Sequence, residues 1–323
     1  MGFDRRDFLK ILAAAGGASL VGLPKEALAQ EDFPGWPDRF GVLYDTSLCI
    51  GCRSCEARCN EVNNLPAPDV PFDDQKVFEQ LRRPTYKAYT IVNRYYPNGQ
   101  DKEPTFVKIQ CMHCNEPACY AACIAKAFTK SPEGAVVYNA DVCIGCRYCM
   151  QACPFYIPAY EYHKAFTPRI RKCTMCYDRI KEGKIPGCVE ACPTGALVFG
   201  KRTELIDYAR KKILTSNGYI NHIYGENEMG GSSWMYMSKV PFEKLGFKMD
   251  LGVTAAPKYV YWFLWTIPLW HTAFTALLTG IYSMTKRREQ VMKEEIEKAV
   301  EKTRSGLYVI SGSGEENKEG KVR

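Results

Sequence analysis

Histidine is scarce in this chain, with four residues among 323, and none of them completes a Cys-x-x-Cys-His sequence. A covalently attached c-type haem is thereby excluded. No glycine-rich dinucleotide fingerprint, P-loop or nucleophile elbow occurs, so nucleotide-dependent and serine-hydrolase chemistries have no residues to rest on. The net charge of +7 is mild. No basic stripe interleaves with aromatics, which argues against a nucleic-acid partner, and most of the positive charge reads as solvated surface. Mean hydropathy is low, at −0.28, which excludes a polytopic membrane protein and leaves a soluble domain with apolar segments attached. No cysteine stands alone either.

The 16 cysteines fall into four groups of four: Cys49, Cys52, Cys55, Cys59; Cys111, Cys114, Cys119, Cys123; Cys143, Cys146, Cys149, Cys153; and Cys173, Cys176, Cys188, Cys192. Disulfide scaffolds belong to small secreted chains and do not repeat so tightly. Zinc ribbons leave Cys-x-x-Cys pairs, not quartets ending Cys-x-x-x-Cys. The run Cys143-Ile-Gly-Cys146-Arg-Tyr-Cys149-Met-Gln-Ala-Cys153-Pro154 has the bacterial ferredoxin spacing for a [4Fe–4S] cluster. Three thiolates wrap one cube from a single loop, the fourth reaches a second cube, and Gly145 lets the loop curl. Asn60 and Ile124 stand where such runs have proline after the last cysteine.

Arg5-Arg6-Asp7-Phe8-Leu9-Lys10, the apolar stretch Ile11 to Leu23 and the small-x-small site Ala27-Leu28-Ala29 read as a twin-arginine signal peptide over 1–29. That route exports folded proteins, so clusters built on reduced thiolates in the cytoplasm survive it. A cluster domain over 30–215 follows. Within it, Phe40–Tyr44, Tyr86–Tyr96, Phe106–Ile109 and Thr194–Phe199 read as strands. Ala127–Lys130 and Ala135–Tyr138 flank a turn with Pro132 second and Gly134 fourth, which is type I turn chemistry. The insertion 60–110 reads either as surface cover or as a docking face. Glu204 to Leu214 reads as a helix, and 216–257 as a loop-rich extension with a strand at Trp234–Met237. Tyr259 to Met284 lacks acidic or basic side chains apart from His271. As a helix it would span about 39 Å against a hydrocarbon core of about 30 Å, so 258–285 is expected to be a transmembrane helix. Trp262, Trp265, Trp270 and Tyr282 are its interface candidates. Lys286-Arg287-Arg288 would then hold a charged tail, 286–323, in the cytoplasm, with a helix over Glu289–Arg304 and disorder after Ser305.

The second and third quartets are separated by one hairpin and are expected to form one two-cluster unit. Because the fourth cysteine of each run crosses over, Cys111, Cys114, Cys119 and Cys153 would hold one cube, and Cys143, Cys146, Cys149 and Cys123 another. The first and fourth quartets are left to pair around that unit, with Cys49, Cys52, Cys55 and Cys192 on one cube and Cys173, Cys176, Cys188 and Cys59 on the last. Strands Phe40–Tyr44 and Leu197–Phe199 would close the outer unit. A rival arrangement pairs the first quartet with the second and the third with the fourth; the insertion after Cys59 makes it less natural. The fold expected is α+β: two nested bacterial-ferredoxin-like units binding four [4Fe–4S] clusters, between a signal helix and a single C-terminal transmembrane helix. Full cysteine ligation leaves no open coordination site, so the chain reads as a non-catalytic electron carrier. His113 reads as structural or a tuner of cluster potential, and His271 as an interface hydrogen-bonding group.

The four quartets resemble those of the iron–sulfur subunits of dimethyl sulfoxide reductase, formate dehydrogenase and nitrite reductase complexes. The twin-arginine signal, the helix after the domain and the stretch His222-Ile-Tyr-Gly-Glu-Asn-Glu-Met-Gly-Gly231 through Val240-Pro-Phe-Glu243 are most similar to the iron–sulfur subunits of uptake hydrogenases. The resemblance implies the same nested cluster pairing. It also implies transfer of electrons from a periplasmic oxidoreductase, a nickel–iron hydrogenase before a formate dehydrogenase, molybdopterin reductase or multihaem cytochrome, to a multi-spanning quinone-reactive membrane subunit. The expected place is the periplasmic face of the inner membrane.

Overall fold

The structure is a computed structural model and describes residues 36, 38–99 and 103–312. The signal peptide expected at 1–29 and the last residues of the tail lie outside them. Two compact units are present, one over residues 30–262 and one holding the helical stretch from Phe263 onward.

Strands run in the order β1 (Phe40–Asp45), β2 (Ile91–Tyr95), β3 (Thr105–Ile109), β4 (Phe128–Lys130), β5 (Val136–Tyr138), β6 (Ala159–Tyr160), β7 (Ile170–Arg171), β8 (Leu197–Lys201) and β9 (Trp234–Met237). The main sheet has the order β8-β1-β9. β1 pairs antiparallel with β8, Val42 opposite Phe199, and parallel with β9, Val42 opposite Trp234. Alternation along these strands sorts side chains to two faces. Val42, Tyr44, Leu197, Trp234 and Tyr236 pack with Cys188, Cys49, Cys55 and Cys192. Leu43, Met235 and Met237 pack against Leu205, Ile206 and Ala209 of the helix Arg202–Thr215. One face of the sheet therefore serves the cysteines while the other is closed by the helix.

β4 and β5 form the expected hairpin, closed by a hydrogen bond from Gly134 N–H to the Ser131 carbonyl at 3.0 Å. The strand expected in Tyr86–Tyr96 begins only at Ile91, because Thr85 and Ala88 close a turn on each other. Within 216–257 the expected strand at Trp234–Met237 is β9 of the main sheet, and Tyr224, Trp234, Tyr236 and Phe242 lie in the core.

The transmembrane expectation is corrected. Ala256–Gly312 is one helix of 57 residues, running through the segment expected to span and on into the helix expected at Glu289–Arg304. No helix among the described residues is long and apolar enough to cross a membrane. Tyr259 to Met284 is uncharged apart from His271, but Thr266, Thr272, Thr275, Thr279 and Ser283 dilute its hydropathy. Each of these hydroxyls donates to a carbonyl three or four residues earlier.

Candidate functional site

Each cysteine run opens with the same backbone device. The residue two places after the first cysteine has a positive φ in all four runs: Gly51 at 72°, His113 at 49°, Gly145 at 71° and Met175 at 58°. This left-handed turn curls the loop and aims amides at sulfur. Gly145 N–H lies 3.4 Å from Cys143 Sγ, and Met175 N–H 3.3 Å from Cys173 Sγ. Gly51 is required twice over, since a Cβ there would also come within 2.4 Å of the Phe106 ring. His113 and Met175 carry the same turn as non-glycine residues, and both are buried.

A helix then separates the last two cysteines of the run. In Ser54–Val62, Cys55 and Cys59 share a face but stand one turn apart, about 6 Å along the axis. Cys55 therefore lines one cavity and Cys59 the next. Shorter helices, Ala118–Ala121, Tyr148–Ala152 and Gly187–Glu190, do the same in the other runs. Cys49, Cys52, Cys55 and Cys192 line one cavity. Cys59, Cys173, Cys176 and Cys188 line a second. Cys111, Cys114, Cys119 and Cys153 line a third. In the remaining set, Cys149 has Cys143, Cys123 and Cys146 as its electrostatic neighbours, packed beside Phe128, Val136 and Ile170. Every set takes three cysteines from one run and one from another.

The sets adjoin one another. Cys55 of the first interacts with Cys188 of the second. Cys59 and Cys173 of the second share an apolar cluster with Cys111 and Cys153 of the third. Cys119 of the third packs with Cys123, Cys143 and Cys149 of the fourth. Exposure is concentrated at the ends of this row, at Cys52 in the first set and Cys146 in the fourth. Beside them Ile50 and Ile144 are 61% and 69% exposed.

Burial, followed by repulsion from neighbouring thiolates, pushes the Cys149 thiol up to about 12. Burial pushes Cys173 up to about 12 as well, against the opposing pull of Lys108. For Cys153 burial dominates and the value rises to about 11. Four thiolates in such a cavity need a cationic core to hold them deprotonated, and a coordinated metal supplies one. Among the described residues no three His, Cys, Asp or Glu side chains converge closely enough to hold a single metal ion; the cysteines instead surround volumes. Cysteine-only sets, N–H groups on sulfur and a cavity in place of a point fit an iron–sulfur cube.

Sequence reading missed the buried charges around these cavities. Lys108 is 1% exposed and lines both the first and the second. Lys172 lines the third. Lys130 is buried nearby and donates to the His113 and Gly134 carbonyls at 2.9 and 2.6 Å. Burial lowers Arg39 to about 9, so it stays cationic at neutral pH, and none of its side-chain nitrogens has a hydrogen-bond partner. Buried cations without carboxylates are costly beside neutral thiols and favourable beside an anionic cluster. His113 Nδ1 accepts from Val136 N–H at 2.9 Å. Burial, then Lys172 and Lys130, hold its ring well below the usual histidine value and hence neutral. It ties a cysteine loop to β5. His271 is exposed beside Thr275. The insertion is pinned by Glu56, which accepts from Arg53 at 3.1 Å, Arg82 at 2.7 Å and Val92 N–H at 2.6 Å.

Comparison with known proteins follows the cysteines. A 4Fe–4S dicluster domain matches residues 103–202. A protein of Nitratidesulfovibrio vulgaris is 51% identical over 92% of this chain and 81% of its own length. Hydrogenase-2 operon protein HybA of Escherichia coli O157:H7 is 34% identical over 76% of this chain and 84% of its own. The formate dehydrogenase iron–sulfur subunit of Haemophilus influenzae is 37% identical over 60% of this chain and 63% of its own.

Proposed function

Because the chain belongs to the 4Fe–4S iron–sulfur subunit family that includes hydrogenase-2 operon protein HybA and the formate dehydrogenase iron–sulfur subunit, we propose that it is the electron-transfer subunit of a membrane-bound respiratory complex and carries four [4Fe–4S] clusters. Cys49, Cys52, Cys55 and Cys192 hold the first, and Cys59, Cys173, Cys176 and Cys188 the second. Cys111, Cys114, Cys119 and Cys153 hold the third, and Cys123, Cys143, Cys146 and Cys149 the fourth. The observation that carries this reading is the crossing of runs at the cavities, where three cysteines of one run are joined by one of another.

Each cluster, when bound, supplies a one-electron redox couple. The chain's own residues hold the sites in a row, aim amides at sulfur, and leave the Cys52–Ile50 and Cys146–Ile144 ends open to partners. A periplasmic catalytic oxidoreductase meets one end and a multi-spanning quinone-reactive membrane subunit the other. A nickel–iron hydrogenase is favoured as the donor, because similarity to HybA reaches over 76% of the chain and that to the formate dehydrogenase subunit over 60%.

Arg5 and Arg6 place the complex on the periplasmic face of the inner membrane by twin-arginine export. A tagged chain recovered from gently solubilised membranes should bring a hydrogenase with it. Arg5→Lys with Arg6→Lys should strand the iron-loaded chain in the cytoplasm and lose that partner. Recovery of a formate dehydrogenase in place of a hydrogenase would replace the donor, and normal export of the double variant would overturn the route.

A further inference from the structure

Lys108 stands on β3 with its side chain inside the protein, where it lines both the cavity of Cys49, Cys52, Cys55 and Cys192 and that of Cys59, Cys173, Cys176 and Cys188. Its position is fixed from three sides. Nζ donates to Gln110 Oε1 at 2.8 Å, Gln110 Nε2 donates to the Tyr236 hydroxyl at 2.7 Å, and that hydroxyl donates back to the Lys108 carbonyl at 3.1 Å. Nζ also lies 4.3 Å from the centre of the Trp234 ring. The sulfurs that act on it belong to both sets, Cys188, Cys173 and Cys59 on one side and Cys55 on the other. Glu56, on the helix of Cys55 and Cys59, is already engaged by Arg53, Arg82 and the Val92 amide.

We propose that Lys108 is a shared positioning charge for two of the four clusters, raising the reduction potentials of the pair it stands between and leaving the other two unaffected. The inference rests on the four-cluster reading. A fixed cation in a poorly screened interior favours the extra electron on any group beside it, and net charge and hydrogen bonding are what set cluster potentials. One ammonium between two sites raises both together, so electrons settle on that pair in preference to its neighbours.

The test is a redox titration of the full chain followed by electron paramagnetic resonance, with iron measured on the same samples. In Lys108→Met, two of the four midpoints should fall, each by about tenfold in the reduction equilibrium, or about 59 mV for one electron. Lys108→Arg should restore them. Gln110→Glu neutralises the ammonium without removing it and should lower the same two midpoints. Full iron with all midpoints unchanged in Lys108→Met and Gln110→Glu overturns the proposal, as does an equal shift in all four. Loss of iron in both variants also overturns it, since the charge would then serve assembly and not potential. Fewer than four clusters in the native chain would defeat the four-cluster reading separately, before any variant is compared.

Discussion

Cys153→Ala should abolish the cluster of Cys111, Cys114 and Cys119 while sparing that of Cys143, Cys146 and Cys149, its own neighbours in sequence. Cys153 closes the cavity lined by the second run's first three cysteines, because the helix Tyr148–Ala152 carries it about one turn beyond Cys149. Removing it leaves Cys111, Cys114 and Cys119 one thiolate short of the four that hold a cube. Iron should fall from about sixteen to about twelve per chain on a four-cube count, with one electron paramagnetic resonance signal lost. The decisive comparison is with Cys123→Ala, which should remove a different signal, that of Cys143, Cys146 and Cys149. If Cys153→Ala instead removes the signal of its own run, crossing fails and with it the row of adjoining sites.

Glu56→Ala should destabilise the iron-loaded chain by about 3–5 kcal/mol, the usual cost of removing one partner from a buried ion pair. The Glu56 and Arg53 side chains are 3% and 2% exposed, so the arginine would be left charged with its carboxylate gone. Arg82 and the Val92 amide lose the same acceptor. The insertion carrying β2 and β3 would come loose from the helix of Cys55 and Cys59. Thermal loss of the cluster absorbance, followed at a fixed heating rate, reads the effect as a lower midpoint. Glu56→Gln, which keeps acceptors but not charge, should fall between. A change of less than about 1 kcal/mol would mean that the insertion is held by its apolar contacts at Val77, Phe78 and Val92.

Local sequence is informative where chemistry is written into spacing. Three cysteines at short intervals and a fourth one helical turn beyond them specify a loop, a helix and a crossing, and these are the elements found. Phe40–Tyr44, Leu197–Phe199 and the turn at Ser131–Gly134 are legible from alternation and turn residues. Legibility ends where distant parts of the chain decide. Trp234–Met237 is legible as a strand, but nothing local there indicates a parallel partner at Val42–Asp45. Lys108, Lys130 and Arg39 read as surface because composition does not report burial. His113 and Met175 hide their left-handed turns because glycine, the usual signal, is missing there. The segment Tyr259–Met284 shows the opposite error: lack of charge is not apolarity, and its threonines, serine and histidine leave it short of a spanning segment.

The most direct test of the four-cluster account is the iron and acid-labile sulfide content of anaerobically purified full-length chain. Four complete cubes require about sixteen of each per polypeptide, and about sixteen is the result expected. About eight iron and eight sulfide would leave only two cubes and would contradict the account at its centre.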